Sequence, residues 1–442
     1  GKNDVRLKKP AQQPVPTGTE RMEHRPIVVG LGPGGLFAAY VLAKNGYCPR
    51  VFERGQSMES RDRAVTAFFS GGAFDPVSNI QFGEGGAGAY SDGKLTTRIN
   101  DPMSEWVLRT FVEHGAPEEI LYKAKPHIGT DILKRVVCSM REEIIRLGGE
   151  VHFGCTLTGV RSRNGVLTAA VIDGQEIACD RLILAIGHSA RDTFEHLLHS
   201  GVYLEPKPFS VGARIEHLQE DLNASMYGKL AGHPALPPAE YTLSHRENGR
   251  ACYSFCMCPG GQVVAAQSEP HAIVTNGMSY HARDGRNANA AIVVSVNPSD
   301  FPTGDALGGV AFQREIERRA FQLTDRRAGS GFRRSEQCIR CVKPANFSTE
   351  LPQTNLHVCK DEIRQHALQR GILYTNRIGR CNPSMLARWF SCKKVANRSD
   401  CRSDSVRRRR GLCGRHYERS GRRYWLRARD FTNIPSSRRK ER

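Results

Sequence analysis

The amino-acid sequence predicts an α/β fold, and three observations carry that prediction. An apolar run, Ile27 to Val29, opens directly into Gly30, Gly32 and Gly35 at the spacing G-x-G-x-x-G. A helical stretch and a second apolar run follow, and the second run ends on an acid, Glu53. Much later, "DRLILAIGHSARDT" supplies another buried strand that closes on the small residues Ala185 and Gly187. Strand, glycine turn, helix and strand in this order make a β-α-β unit of the kind that holds a dinucleotide.

Taken in order, residues 1–25 are polar and Pro-containing ("KKPAQQPVPTG") and read as a linker. The chain opens on Gly1 rather than methionine, so an upstream part is expected. In "PIVVGLGPGGLFAAYVLAKNGYCPRVFERG" the helix runs to about Asn45, Gly46 closes it, and the second strand ends at Glu53. The first glycine permits the tight turn, the second lets backbone approach a pyrophosphate, and the third lets the helix pack on the strand. Unpaired N–H groups at the helix N-terminus then face the phosphates. Glu53, 23 residues after Gly30, stands where it can accept from ribose hydroxyls, which favours an unphosphorylated ribose. FAD or NAD satisfies that. A ligand-free glycine turn would share the three glycines, but not the register of helix, strand and acid around them.

Further along, "NIQFGEGGAGAYSDGKL" (79–95) sets five glycines around Ser91, Asp92 and Lys94, and such a loop can bring several backbone amides against a ligand. An amphipathic helix is predicted from about Asp131 to Leu147, followed by a glycine stop and a strand through His152. The predicted layout is a first domain at 26–205, a second at 206–332 and a tail at 333–442.

Composition supports a soluble α/β chain of two or three domains. Of 442 residues, 39% are apolar and 43 are glycine, which suits many tight turns. No stretch reaches the roughly 18 apolar residues of a membrane span, and no signal-peptide core is present at the N-terminus. A cytoplasmic location without a membrane partner is expected. The net charge of +19 is confined to one end. From Arg333 to Arg442 there are 28 Lys and Arg against 9 Asp and Glu, whereas the first 332 residues hold 36 of each sign. In that tail arginine outnumbers lysine 23 to 5. The 14 cysteines divide seven and seven, with no regular metal-ligand spacing, so no metal site is expected.

The strings "FGEGGAGAYSDGKL", "FSVGARIEH", "YSFCMCPGGQVVAA" and "NGMSYHARDGRNANAAIVVSV" resemble a family of bacterial FAD-dependent dehydrogenases of the two-dinucleotide-binding-domain type. The resemblance covers residues 26 to about 330. It implies a Rossmann-like FAD-binding domain interrupted by a second α+β domain, with the chain returning at its end to finish the flavin site. On that pattern Gly30, Gly32, Gly34, Gly35, Glu53, Arg54, Gly83, Gly85, Gly86, Gly88 and Gly187 contact or shape the FAD site. It also implies a domain upstream of Ile27. Flavin would carry the hydride or electron chemistry. NADH or NADPH is a candidate electron donor, and no substrate is indicated.

Catalytic residues are not fixed by these strings. In "CYSFCMCPGG", Cys256 and Cys258 are two apart, so on a regular strand their side chains share a face. They form either a redox-active thiol pair touching the flavin or two small buried hydrophobes, the commoner role of a free cysteine. Lys94 and Arg98 are candidates to meet an anionic substrate or phosphate, or are solvated loop charges. His188 follows the Ala185–Gly187 turn and is by default a surface residue at a helix start.

The tail, with four arginines at Arg407 to Arg410 followed by "GLCGRHYERSGRRYWLRAR", shows neither helical nor strand periodicity. A complete chain of the resembled family ends on a segment of the type "GEGAGYAGGIMSAAVDGI", which this chain lacks. Yet Cys413 to Trp425 can be written in codons that, read one base later, give AGGIMSAAVDGI. The same shift through "NRIGRCNP", begun at the codon of Thr375, gives RTESVGAI. Out-of-frame reading of GC-rich Gly, Ala and Val codons also yields arginine codons. A frameshift beginning between about residues 324 and 334 is therefore expected, leaving residues 333–442 without a core pattern, largely disordered, and the flavin site incomplete. The alternative is a genuine basic arm that binds nucleic acid, with Tyr417, Tyr424 and Trp425 stacking on bases.

Overall fold

β1 (Ile27–Val29) is buried along its whole length, as a strand covered on both faces must be. The computed structural model describes residues 18–97, 101, 103–247 and 249–325, all within one unit of the chain. After β1 come α1 (Pro33–Lys44), β2 (Arg50–Glu53), α2 (Met58–Phe69), α3 (Met103–Glu113), α4 (Thr130–Arg146) and β3 (Glu150–Phe153). A three-stranded antiparallel meander, β4 (Leu157–Arg163), β5 (Val166–Ile172) and β6 (Gln175–Ala178), precedes β7 (Leu182–Leu184). β7 then returns beside β1, so the parallel sheet has the order β3-β2-β1-β7. Ile27 pairs with Arg50 on one side and Leu182 on the other.

Alternation along these strands builds two cores. Val28 and Val51 face one side, where Leu36 and Tyr40 of α1 and Val136 and Met140 of α4 cover them. Ile27, Val29 and Phe52 face the other side, against Leu157, Ala170 and Ile172 of the meander and Leu197 of α5 (Arg191–His199). Each such side chain, taken wholly out of water, contributes about 1.5–3 kcal/mol.

The remaining described chain forms β8 (Phe209–Leu218), α6 (Gln219–Tyr227), β9 (Ser244–Glu247), β10 (Arg250–Cys258), β11 (Gln262–Ala265), β12 (Thr275–Met278), β13 (Asn287–Val296) and α7 (Gly308–Asp325). β8-β13-β10-β9 make an antiparallel sheet, and β11 pairs with β12 alone. Val264 and Met278 of that ribbon pack into the first core and so fasten the second half of the chain to the first. Within the segment read as a linker, the backbone N–H groups of Glu23 and His24 donate to Asp180, and Arg25 reaches the carbonyls of Cys48 and Gly148. Among the described residues no helix is long and apolar enough to cross a membrane. Arg98, the Arg333–Arg442 tail with Tyr417, Tyr424 and Trp425, and most of the frameshift window lie outside the described residues.

Candidate functional site

Three glycine-bearing loops meet at the carboxyl edge of the parallel sheet, the edge where open α/β sheets take their ligands. The first follows β1. Gly30 has φ +94°, and a side chain there would press on the Ala185 carbonyl after β7. A Cβ at Gly35 would collide with the carbonyl oxygen of Gly30, so strand and helix approach closely only with glycine at both places. α1 begins at Pro33 after Gly32, and no side chain caps its N-terminus. Pro33 has no N–H to lose, and its fixed φ suits the first helical position. Gly34 sits in ordinary contact with Ala185, where steric room alone does not demand glycine.

The second loop, Gly83 to Gly88, lies across the first. The Gly85 N–H donates to the Leu31 carbonyl at 2.8 Å. A Cβ on Gly86 would come within 2.9 Å of the Gly32 Cα, and one on Gly88 within 3.4 Å of the Pro33 ring. Gly83 at φ +116°, Gly85 at +78° and Gly86 at +58° all take the left-handed region that L side chains avoid. Gly187 does so too, at φ +69°, with open space where its side chain would stand. That third loop touches the stretch leading into the second through Ser189, whose hydroxyl donates to Gln81 at 3.3 Å.

Glu53 binds these loops together. Its Oε2 accepts from the Leu31 N–H at 2.7 Å, and its Oε1 accepts from Gly55 and Gly83, each at 2.9 Å. The ribose role read from sequence therefore has to share the carboxylate with three backbone donors. Arg54 is equally committed. It forks onto Asp192 of α5 at 2.9 and 2.5 Å and stacks over the Phe82 ring at 4.3 Å.

Arg61 escaped the sequence reading. It is fully buried on α2 and donates to the carbonyls of Asn79 (2.8 Å), Glu84 (2.5 Å), Ile80 (2.9 Å) and Gly86 (3.0 Å) while covering the Tyr90 ring. A planar fork of five donors suits four carbonyls converging from one loop. Its signal was an arginine in the buried stripe Met58, Arg61, Val65, Phe68 of an otherwise amphipathic helix. Glu84, also fully buried, accepts from the Met58 N–H at the start of α2 and faces Arg141 at 2.9 Å; burial pushes its carboxyl up.

The loop continues into the second half of the chain. Asp92 is buried against Arg283, whose Nε lies at 2.9 Å, and accepts from the Ser279 hydroxyl. Lys94 donates to the Met257 carbonyl and lies 3.9 Å from Glu240 and 4.0 Å from Asp92. It is thus tethered through its ammonium while the residue stays exposed. β10 is also irregular where the cysteines sit. Its register on β13 shifts between Phe255 and Cys258, and Cys256 takes φ +48°. The shared face expected of a regular strand gives way to a bulge with Cys256 half-buried and Cys258 buried. His188 shares a hydrogen bond with its neighbour Ser189.

A family model described as "FAD-dependent protein, C-terminal domain-like" matches residues 208–378. A protein of Clostridium beijerinckii, described as uncharacterized, is 46% identical over 372 residues, covering 81% of this chain and 69% of its own length. Solved structures similar to the chain include L-amino acid deaminase from Proteus vulgaris (13% identity, 45% of this chain and 62% of that chain, TM-score 0.28) and glycine oxidase from Bacillus cereus (9%, 61% and 73%, TM-score 0.29).

Proposed function

From the premise that the chain belongs to this family of FAD-dependent proteins, we propose that it is an FAD-dependent oxidoreductase whose cofactor lies where the three glycine loops meet. The observation that carries this reading is the backbone-to-backbone approach of Gly32 and Gly86 at the carboxyl edge of a parallel sheet. The residues fit the group. The uncapped start of α1 offers N–H groups to a pyrophosphate, and no side chain projects from residues 30, 32, 34 or 35 to obstruct it. Glu53 uses three of the roughly four acceptor positions of a carboxylate, so Oε2 keeps one for a ribose hydroxyl. The Gly83–Gly88 loop, fixed from beneath by Arg61, and Gly187 shape the rest of the wall.

When bound, the flavin supplies hydride or electron transfer, with NADH or NADPH as the proposed donor. The chain's own residues orient it: the first loop holds the phosphates, Glu53 sets the ribose, and the second loop keeps water from the first. Gly32→Val tests this reading. Gly32 has φ −71°, which any residue adopts, and its Cβ would meet only the Gly86 Cα, at 3.7 Å. The variant is expected to fold as the parent does by circular dichroism but to lose FAD uptake, read by quenching of flavin fluorescence. Undiminished FAD binding by Gly32→Val overturns the placement. A parent protein that takes up no FAD, even with the reading frame restored after residue 324, overturns the function.

A further inference from the structure

We propose that Cys256 and Cys258 form a redox-active thiol pair that exchanges with small disulfides, Cys256 as the attacking sulfur and Cys258 as the resolving one. The inference goes beyond the flavin reading and does not depend on it. Burial in apolar surroundings is the ordinary state of a free cysteine, and Cys252 on the same strand shows its effect, since burial pushes that thiol up. Cys256 departs from this. Its neighbours are polar and mostly cationic: Arg214 of β8 donates to the Cys256 carbonyl at 3.1 Å, and Lys94 donates to the carbonyl of Met257. Cys258 Sγ donates to the Cys256 carbonyl at 3.3 Å, and the neighbouring Cys258 thiol, with Arg214 and Lys94, holds the Cys256 thiol low against burial and the carboxylate of Asp92. Cys258, buried on the far side of that hydrogen bond, is pushed up.

The backbone favours the same division of roles. Residues i and i+2 of an extended strand stand about 6.7 Å apart, at the far limit of the roughly 4.4–6.8 Å that a disulfide spans between Cα atoms. Cys256 itself leaves the extended conformation for the left-handed region, at φ +48°, which few non-glycine residues adopt. Cys256 is partly buried beside the exposed Phe255, whereas Cys258 is sealed in. Gly277 of β12 makes room for the buried sulfur: a Cβ there would fall 2.8 Å from the Cys258 Sγ and would also strike Arg214 and Asn289. Two buried donors of this cluster, Arg214 Nε and Asn289 Nδ2, have no hydrogen-bond partner among the described residues. Asn289 is the residue directly opposite Cys258 on β13.

The exchange balances without an outside oxidant beyond the disulfide itself. The Cys256 thiolate attacks one sulfur of R–S–S–R, its electron pair forms the new S–S bond, and the first R–S⁻ leaves to take a proton from solvent. Cys258 then gives its proton to solvent and attacks the Cys256 Sγ, expelling the second R–S⁻. Two protein thiols are oxidised to one disulfide, and one small disulfide is reduced to two thiols.

The test uses the full chain and reads each thiol by peptide mass. Iodoacetamide at pH 7 is expected to label Cys256 at least tenfold faster than Cys252, with half-maximal labelling at least one pH unit below the ordinary thiol value of about 8.5. After incubation with oxidised glutathione the peptide is expected to carry an internal Cys256–Cys258 disulfide, and dithiothreitol reverses it. Cys258→Ser is expected to stall as a glutathione adduct on Cys256. Labelling of Cys256 no faster than that of Cys252, or both thiols still free after glutathione treatment, overturns the proposal, and both measurements need only the parent protein.

Discussion

Glu53 commits its carboxylate to the N–H groups of Leu31, Gly55 and Gly83, so its removal acts on the protein before it acts on any ligand. A ribose acceptor alone would cost about 1–3 kcal/mol of affinity when lost. Glu53→Ala strands three backbone donors at a residue that is only 5% exposed, and each stranded donor costs about 1–3 kcal/mol. The flavin-free variant is therefore expected to melt well below the parent in a thermal scan, by several kcal/mol of stability. Equal melting of the two flavin-free proteins would show that the three bonds do not hold the loops. This double duty was not legible in the sequence, where Glu53 is visible only as the acid ending a strand. Its neighbours in space, Leu31 and Gly83, are set by how two loops cross. Arg61 was hidden for the same reason: an arginine in an apolar stripe is readable, but the four carbonyls it serves come from a loop 18–25 residues away.

Elements whose cause is local were the readable ones. β1, the glycine turn, α1 and β2 fall where periodicity and glycine spacing put them, and α4 spans Thr130–Arg146 against a predicted Asp131–Leu147. The meander β4–β6 was passed over, although two of its turns are written plainly as Asn164-Gly165 and Asp173-Gly174. Both pairs take positive φ, as tight hairpin turns require. What joins the elements was not readable at all. Arg191, the first residue of α5, donates to Glu317 at 2.9 and 2.6 Å and Gln313 at 3.1 Å on α7, and to Glu269 at 2.9 Å between β11 and β12. Arg191→Leu leaves Glu317 buried and uncompensated, a loss of about 3–5 kcal/mol. Arg191→Leu combined with Glu317→Leu removes both charges and is expected to recover most of that stability in urea unfolding. A double variant as unstable as the single one would exclude a stranded charge as the cause.

Along the whole chain, the described elements and the net charge fall in different stretches. The first 332 positions are balanced in sign and contain every described element, while all of the +19 lies from Arg333 onward. The family match runs from residue 208 to 378, past the window near 324–334 in which a one-base displacement is predicted. A displacement and a genuine basic arm make different demands on the coding DNA. If the frame shifts once, a single displacement must serve both segments: the codons of 375–382 read one base later must give RTESVGAI, and those of Cys413 to Trp425 must give AGGIMSAAVDGI. The 23 tail arginines should then be drawn mostly from codons beginning CG, left over from glycine, alanine and valine codons in the original frame. Sequencing codons 320–442 decides between the two. A stop codon in the displaced frame between positions 334 and 424, or shifted readings of the two segments that need different displacements, would rule out the frameshift and return the arginines to a basic arm, to be tested by salt-dependent nucleic-acid binding.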